Sequence, residues 1–155
     1  MARLAISSPV DVRVLDRGMS VGEALAAFDA ANPDAGGTAS FLGKVRSGDG
    51  VKALELSHYG PLTLTGMEAL AEQAAARFGL AGLLVWHRVG VMTPGEVIVL
   101  VAAAAPHRRA AFDAVDMVMD HLKSAAWFWK RERREDGWHW IEPREQDRVD
   151  LARWK

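Results

Sequence analysis

The spacing of apolar positions changes several times along the chain, and each change marks an element. Leu4–Ile6 and Val12–Leu15 are short apolar runs separated by Ser7, Ser8 and Pro9, the pattern of short strands. Ser20 stands three residues before Glu23, the capping-box spacing, and predicts a helix over about Val21–Ala31 with Leu25 and Phe28 inward. Asn32, Pro33, Asp34, Gly36 and Gly37 end it. Thr38–Val45 alternates weakly around Phe41 and reads as a strand. After a turn at Arg46–Gly50, Val51–Tyr59 places Leu54, Leu56 and His58 on one face and Glu55, Ser57 and Tyr59 on the other, which predicts the second arm of a hairpin. Thr65 and Glu68 form another capping box, and the helix behind them runs to Phe78 and stops at Gly79.

Two β-rich runs follow, Leu83–Val89 and Val97–Ala104, around a turn containing Thr93, Pro94 and Gly95. The second is almost wholly apolar, the signature of a central strand. Pro106–Glu132 then reads as one organised segment. His107, Arg108 and Arg109 open a helix whose Phe112, Val115, Met119, Leu122 and Ala126 recur at spacings of three and four as a buried stripe. Lys123 lies at the edge of that stripe. If the helix continues to Lys130, the two lysines fall on one side about 10 Å apart. Asp136-Gly137 is a turn, Trp138–Glu142 a short strand, and Arg144–Trp154 a polar tail with helical character. Hairpins mixed with helices predict α+β architecture in a single domain spanning residues 1–155.

Composition narrows the function classes. A net charge of −1 supplies no global field for nucleic acid or anionic membrane, so an anion site must be local. The chain has no cysteine, which removes disulfides, thiolate metal sites and cysteine nucleophiles. No apolar run approaches membrane-spanning length, and the first residues lack the apolar region of a secretory signal, a pattern compatible with the cytosol.

The cations are the candidate chemistry. A lysine crowded by apolar groups or by other cations loses basicity and can serve as a base or nucleophile near neutral pH. Lys123, and Lys130 among Trp127, Phe128 and Trp129, fit that description; a snorkelling helix-edge lysine and a solvated charge run fit the same spacing. His107, Arg108 and Arg109 at a helix start can meet an anion. Gly43-Lys44-Val45-Arg46 leads a strand into a turn that can close over a phosphate. His87 and Arg88 end a strand and His58 lies on an apolar face; each reads as a hydrogen-bonded structural group. The five histidines show no HxH or HExxH spacing, so neither a metal site nor a resident cofactor is expected. Lys130-Arg131-Glu132-Arg133-Arg134 beside three aromatics is also compatible with a nucleic-acid patch, although Glu135, Asp136, Glu142 and Glu145 soon offset it.

Several ordered blocks go further: Phe41-Leu-Gly-Lys-Val-Arg46, Leu56-Ser-His-Tyr59, His87-Arg-Val-Gly90, Gly95-Glu96, His107-Arg108, Met119-Asp-His-Leu-Lys123, Phe128-Trp-Lys-Arg-Glu132 and Trp140-Ile-Glu142. In this order and at these separations, from about Gly36 to Arg144, the chain resembles the large, catalytic subunit of molybdopterin synthase. The resemblance implies an α/β-hammerhead fold. It implies sulfur transfer from the C-terminal Gly-Gly thiocarboxylate of a small ubiquitin-like partner to cyclic pyranopterin monophosphate, within a heterotetramer built on a homodimer of the large subunit. Carried over by position, Lys123 and Lys130 match the functional lysines. Lys44, Val45, Arg46, His107, Arg108, Arg131, Glu132 and Arg144 match substrate-binding blocks, and Phe41 and Met119 line the pocket. Two features depart from the family pattern. Trp127 stands where relatives usually carry proline, and the turn after Arg46 is short. A non-catalytic homologue that binds a ubiquitin-like tail is the alternative reading, with a nucleic-acid binder behind it.

Overall fold

A computed structural model describes residues 9–124 and 127–155. The expected strand at Leu4–Ile6, and Ala126 of the helical stripe, lie outside these residues. Twelve elements follow one another: β1 (Val10–Leu15), α1 (Val21–Ala31), β2 (Gly37–Lys44), β3 (Ala53–His58), α2 (Pro61–Phe78), β4 (Gly82–Arg88), β5 (Gly90–Met92), β6 (Val97–Ala105), α3 (Arg108–Ser124), β7 (Phe128–Arg134), β8 (Gly137–Ile141) and α4 (Glu145–Ala152). They build two four-stranded sheets, ordered β1-β4-β6-β2 and β5-β3-β7-β8. Only β1 and β4 run parallel; the other pairings are antiparallel. This is the α+β architecture that the mixed periodicity predicts.

The apolar run of β6 explains the layering. Its neighbours β4 and β2 occupy both edges, and helices cover both faces. Val99, Val101, Ala103 and Ala105 face the main core with Met67 and Leu70 of α2 and Val115, Val118 and Leu122 of α3. Leu100, Ala102 and Ala104 face the other way, against Ala24 and Phe28 of α1. A strand covered on both faces has no polar alternation to show. A third cluster, Val45, Leu54, Leu56 and Met92, with Ile98 and Phe128 packed on it, lies under the second sheet.

Four local expectations are corrected. Thr38–Val45 and Val51–Tyr59 are not arms of one hairpin: β2 pairs with β6, whereas β3 pairs with β5 and β7. The register breaks at Gly43/Lys44, and Val45 exchanges hydrogen bonds with Glu96 and Gly95 instead. The chain thus leaves the first sheet, and Leu54 and Leu56 bury into a separate core. Second, α2 begins at Pro61 rather than behind Thr65. Proline suits the first helical position because its missing N–H has no helical partner there. Its far end is as read: Gly79, at φ 61, closes the helix in the left-handed conformation. Third, Ser20 opens α1 without a side-chain cap; its carbonyl accepts from Ala24 N–H at 3.0 Å. Fourth, Phe112 is 58% exposed, so the buried face of α3 is Ala111, Ala114, Val115, Met117, Val118 and Leu122. The short β5 has no counterpart in the sequence reading.

The corner between β4 and β6 is held by an ion pair. Arg88 Nη1 donates to Glu96 Oε1 at 2.6 Å, and Glu96 Oε2 accepts from Thr93 N–H at 2.6 Å and Thr93 Oγ1 at 3.1 Å. These donors, Arg88 first, hold the Glu96 carboxyl at about 2, well below its ordinary 4.5. A carboxylate with a depressed folded pKa stabilises the fold above its unfolded value and loses that contribution as pH falls through the folded one. Thermal unfolding of the native chain is therefore expected to become easier as pH drops from 4.5 towards 2, and Glu96→Gln to flatten that dependence. The effect is on the order of 1 kcal/mol, because the glutamate end is open to solvent. Identical acid profiles for the two proteins would show that the pair contributes nothing.

Candidate active site

Lys123 and Lys130 reach one cavity from different elements. Lys123 is in the last turn of α3, and Lys130 is on β7. The expectation of a single helix carrying both is corrected. Phe128–Arg133 pairs residue by residue with His58–Ala53 of β3 on one side, and Lys130–Arg134 pairs with β8 on the other. Aromatic and alternating residues there favour the pleated arrangement. The alternation aims Phe128, Lys130, Glu132 and Arg134 at the cavity, of about 340 Å³.

The walls combine both sheets and both C-terminal helices. Lys44, Val45 and Arg46 come from the end of β2, Leu54 and Leu56 from β3, His87 from β4, Lys123 from α3, and Arg144 and Asp147 from the start of α4. An adjoining cavity of about 320 Å³ is lined by Phe41, Met119, Lys44, Arg46, His87, Lys123 and Arg144 among others. Both ammonium groups are less basic than an ordinary lysine. Burial is the main cause for each. At Lys123 the charges of Lys130, Arg144 and Arg46 add to it and Asp147 opposes; at Lys130, Arg46 and Arg144 add and Glu132 and Asp147 oppose. Lys123 keeps an exposed surface, so burial there means crowding by protein around a head that still meets the cavity mouth.

The acidic groups hold the cations in place. Arg134 Nη2 donates to Glu132 Oε2 at 3.0 Å, and Arg134 Nη1 donates to the Asp49 carbonyl at 2.5 Å. That second bond ties the short loop after Arg46 to β7. Gly48, Asp49 and Gly50 all have positive φ there, which lets four residues turn the chain beside the cavity. Asp147, buried on α4, accepts from the Arg144 backbone N–H at 3.2 Å and from its Nη2 at 3.3 Å. Ser124 Oγ donates to the Asp147 carbonyl at 2.9 Å and fastens α4 to the end of α3. The periodicity of a polar tail gave no signal for Asp147 or for its carboxylate beside the lysines.

Not every expected residue meets the cavity. Lys44, Arg46, Lys123, Lys130, Glu132 and Arg144 line it, and Phe41 and Met119 line its neighbour. Val45 lines it through a buried apolar side chain, with its backbone N–H and C=O engaged by Glu96 and Gly95. Arg131 faces the opposite side of β7, pairs with Glu55 at 2.6 Å and lies 4.4 Å over the Trp138 ring. The Lys130–Arg134 run is thus split between two faces, which breaks up the contiguous basic patch that a nucleic-acid reading requires. His107 and Arg108 are exposed at the other end of α3, roughly 23 Å of helix from Lys123. Trp127 lines neither cavity. Its indole covers Gly66 of α2 so closely that a Cβ there would lie 2.5 Å from Nε1, and its carbonyl accepts from buried Thr63 Oγ1 at 3.0 Å. The departure at Trp127 therefore serves packing on α2. No group of three or more acidic or histidine side chains capable of holding a metal occurs among the described residues.

Similarity to known proteins now bears on this geometry. The family model described as MoaE protein matches residues 14–125. The chain belongs to the MoaE family. It is similar to the molybdopterin synthase catalytic subunit of Caulobacter vibrioides, 44% identical over 92% of this chain and 96% of that one. The corresponding subunit of Ralstonia nicotianae is 42% identical over 92% and 83%. Among solved structures, the molybdopterin biosynthesis MoaE protein from Burkholderia ambifaria superposes with a TM-score of 0.80 at 39% identity, over 94% of this chain and 97% of that one. In this MoaE chain Lys123 and Lys130 line one cavity.

Proposed function

We propose that this MoaE chain is the catalytic subunit of a molybdopterin synthase. It moves sulfur from the C-terminal thiocarboxylate of a small ubiquitin-like partner to cyclic pyranopterin monophosphate and so forms the dithiolene of molybdopterin. The observation that carries this reading is the meeting of Lys123 and Lys130, from a helix and a strand, in one cavity with Arg46 and Arg144. Both reactants are anions, and charge-assisted hydrogen bonds from these cations suit a phosphate and a thiocarboxylate alike.

The division of labour follows from position and basicity. When the thiocarboxylate sulfur bonds to a pterin carbon, the carbon–oxygen bond at that carbon breaks, its oxygen leaves with a proton, and the acyl group becomes a thioester. Water then cleaves the acyl–sulfur bond, leaving sulfur on the pterin and a carboxylate on the partner. Lys123, crowded by Lys130, Arg144 and Arg46, stands beside the acyl carbon and stabilises the oxygen that gains charge. Lys130, balanced by Glu132, holds the pterin or moves a proton. His107 and Arg108 bind the substrate's anion only if a second copy of the chain brings them to this cavity, since their own α3 holds them at its far end. A homodimer within a heterotetramer meets that requirement, and a cytoplasmic setting belongs to the same reading. No helix among the described residues is long and apolar enough to cross a membrane.

The test is reconstitution. Mixing the chain with thiocarboxylated partner and cyclic pyranopterin monophosphate is expected to give dithiolene product and to convert the thiocarboxylate to carboxylate. Partner binding with the thiocarboxylate left intact would instead identify a non-catalytic tail binder. Retention of both lysines and of Arg46 and Arg144 speaks for the enzyme.

A further inference from the structure

His87 does more than pack. It is one of only three buried polar or charged residues among those described, with Thr63 and Asp147. Thr63 and Asp147 have structural partners for their side chains. His87 has a partner for one ring nitrogen: Nδ1 lies 3.0 Å from the Arg88 carbonyl oxygen. A carbonyl only accepts, so Nδ1 carries the hydrogen. Burial, with a smaller contribution from Lys123, pushes the imidazole down to about 4, so the ring is neutral at physiological pH and Nε2 keeps a bare lone pair. Among the described residues, Nε2 has no hydrogen-bond partner. The ring is fixed in place by stacking on Phe128, centroids 4.0 Å apart at 18°. It lines both cavities, at the seam where they share Lys123 and Arg46.

The cavity otherwise offers an unbalanced set of polar groups. Arg46, Lys123, Lys130 and Arg144 only donate. Asp147 has both carboxylate oxygens engaged by Arg144, and Glu132 has Oε2 engaged by Arg134, which leaves Oε1 as a charged acceptor on the β7 wall. Asp49 and Glu142 lie exposed at the rim. A reduced pterin ring presents N–H donors as well as acceptors, and a buried N–H left without an acceptor costs about 1–3 kcal/mol. We propose that His87 contacts the substrate, its Nε2 accepting a hydrogen bond from a pterin ring N–H and so orienting the ring between the lysines. This rests on reading the cavity as the pterin site, and it adds a neutral acceptor to a cavity whose other polar side chains are charged.

Two measurements test it. In the full chain labelled with 15N-histidine and without the sulfur-carrying partner, adding cyclic pyranopterin monophosphate is expected to shift the His87 Nε2 resonance, assigned through its contact with Phe128, while Nδ1 keeps its proton. Inorganic phosphate, which neutralises the same cations but brings no ring N–H, is expected to leave Nε2 in place. An unmoved Nε2 in pterin-saturated protein, or an equal shift with phosphate, overturns the proposal. In the reconstituted enzyme, His87→Phe keeps a stacked ring and deletes the acceptor. It is expected to raise KM for the pterin about 10-fold, the equivalent of one lost hydrogen bond, with kcat within about 3-fold. An unchanged KM overturns the proposal as well. If His87→Phe does not fold, the resonance of the unaltered protein decides. Failure of the pterin reading itself looks different: the unaltered protein then binds no pterin and makes no product.

Discussion

Lys123→Ala is expected to lower the rate of dithiolene formation by at least about 100-fold while leaving the fold intact. The side chain projects from the last turn of α3 towards the cavity and is not part of the buried stripe, so its removal opens no core void. It also relieves repulsion with Lys130, Arg144 and Arg46. A loss of activity without a loss of thermal stability is therefore the signature to look for. Lys130→Ala is expected to reduce turnover on a similar scale and carries a second readout. The Lys130 charge lowers the basicity of Lys123, so deleting it moves the Lys123 pKa upward and leaves less neutral amine at a given pH. The pH profile for acylation of Lys123 by an amine reagent, followed by mass spectrometry, should shift to higher pH in Lys130→Ala. Near-normal turnover in both variants would remove the lysines from the reaction.

The second large effect is on stability. A Cβ on Gly36 would lie 2.0 Å from the carbonyl oxygen of Pro106, and one on Gly37 would lie 3.3 Å from the Cα of Arg108. The start of β2 thus passes directly over the start of α3, where Gly37 pairs with Ala105. The obstructing atom at Gly36 is backbone and cannot rotate away. Gly36→Ala is expected to cost about 3 kcal/mol, the upper part of the range for overpacking, and to lower Tm by roughly 10 °C. Gly18→Ala, with nothing within 4 Å of its Cβ, is the control and should lie within about 0.5 kcal/mol of the native chain. A Gly36→Ala protein that melts with the control would mean that the corner at Pro106 yields freely.

Much of this molecule was legible before any coordinates. The bounds of α1, the end of α2, the central position of β6, the turn at Gly137 and the α+β class all follow from periodicity and punctuation. The family blocks also named most of the cavity's cations. What they left obscure was the neutral chemistry. His87 looked like a packed structural histidine because its place at the end of a buried strand reports only that it packs. The free lone pair depends on a bond to the Arg88 carbonyl and a stack on Phe128, 41 residues later in the chain. Asp147 was hidden for a related reason: its carboxylate matters through its neighbours, not through any local pattern.

The segment from Pro106 to Glu132 shows where the division falls. Its sequence alone determined an amphipathic α3 with Lys123 at the edge of its buried stripe, because a helix hydrogen-bonds within itself and its buried stripe can be counted. It could not determine the state of Lys130, because a strand finds its hydrogen bonds in other segments. Only the pairing of β7 with β3 and β8 made Phe128–Arg134 a strand, divided its charges between two faces and carried Lys130 back to Lys123. The same reasoning covers the missing hairpin, where separate cores chose the partners of β2 and β3. Local periodicity settles local elements; the tertiary structure decided which distant side chains share a cavity, since burial and strand pairing are satisfied only by the whole chain.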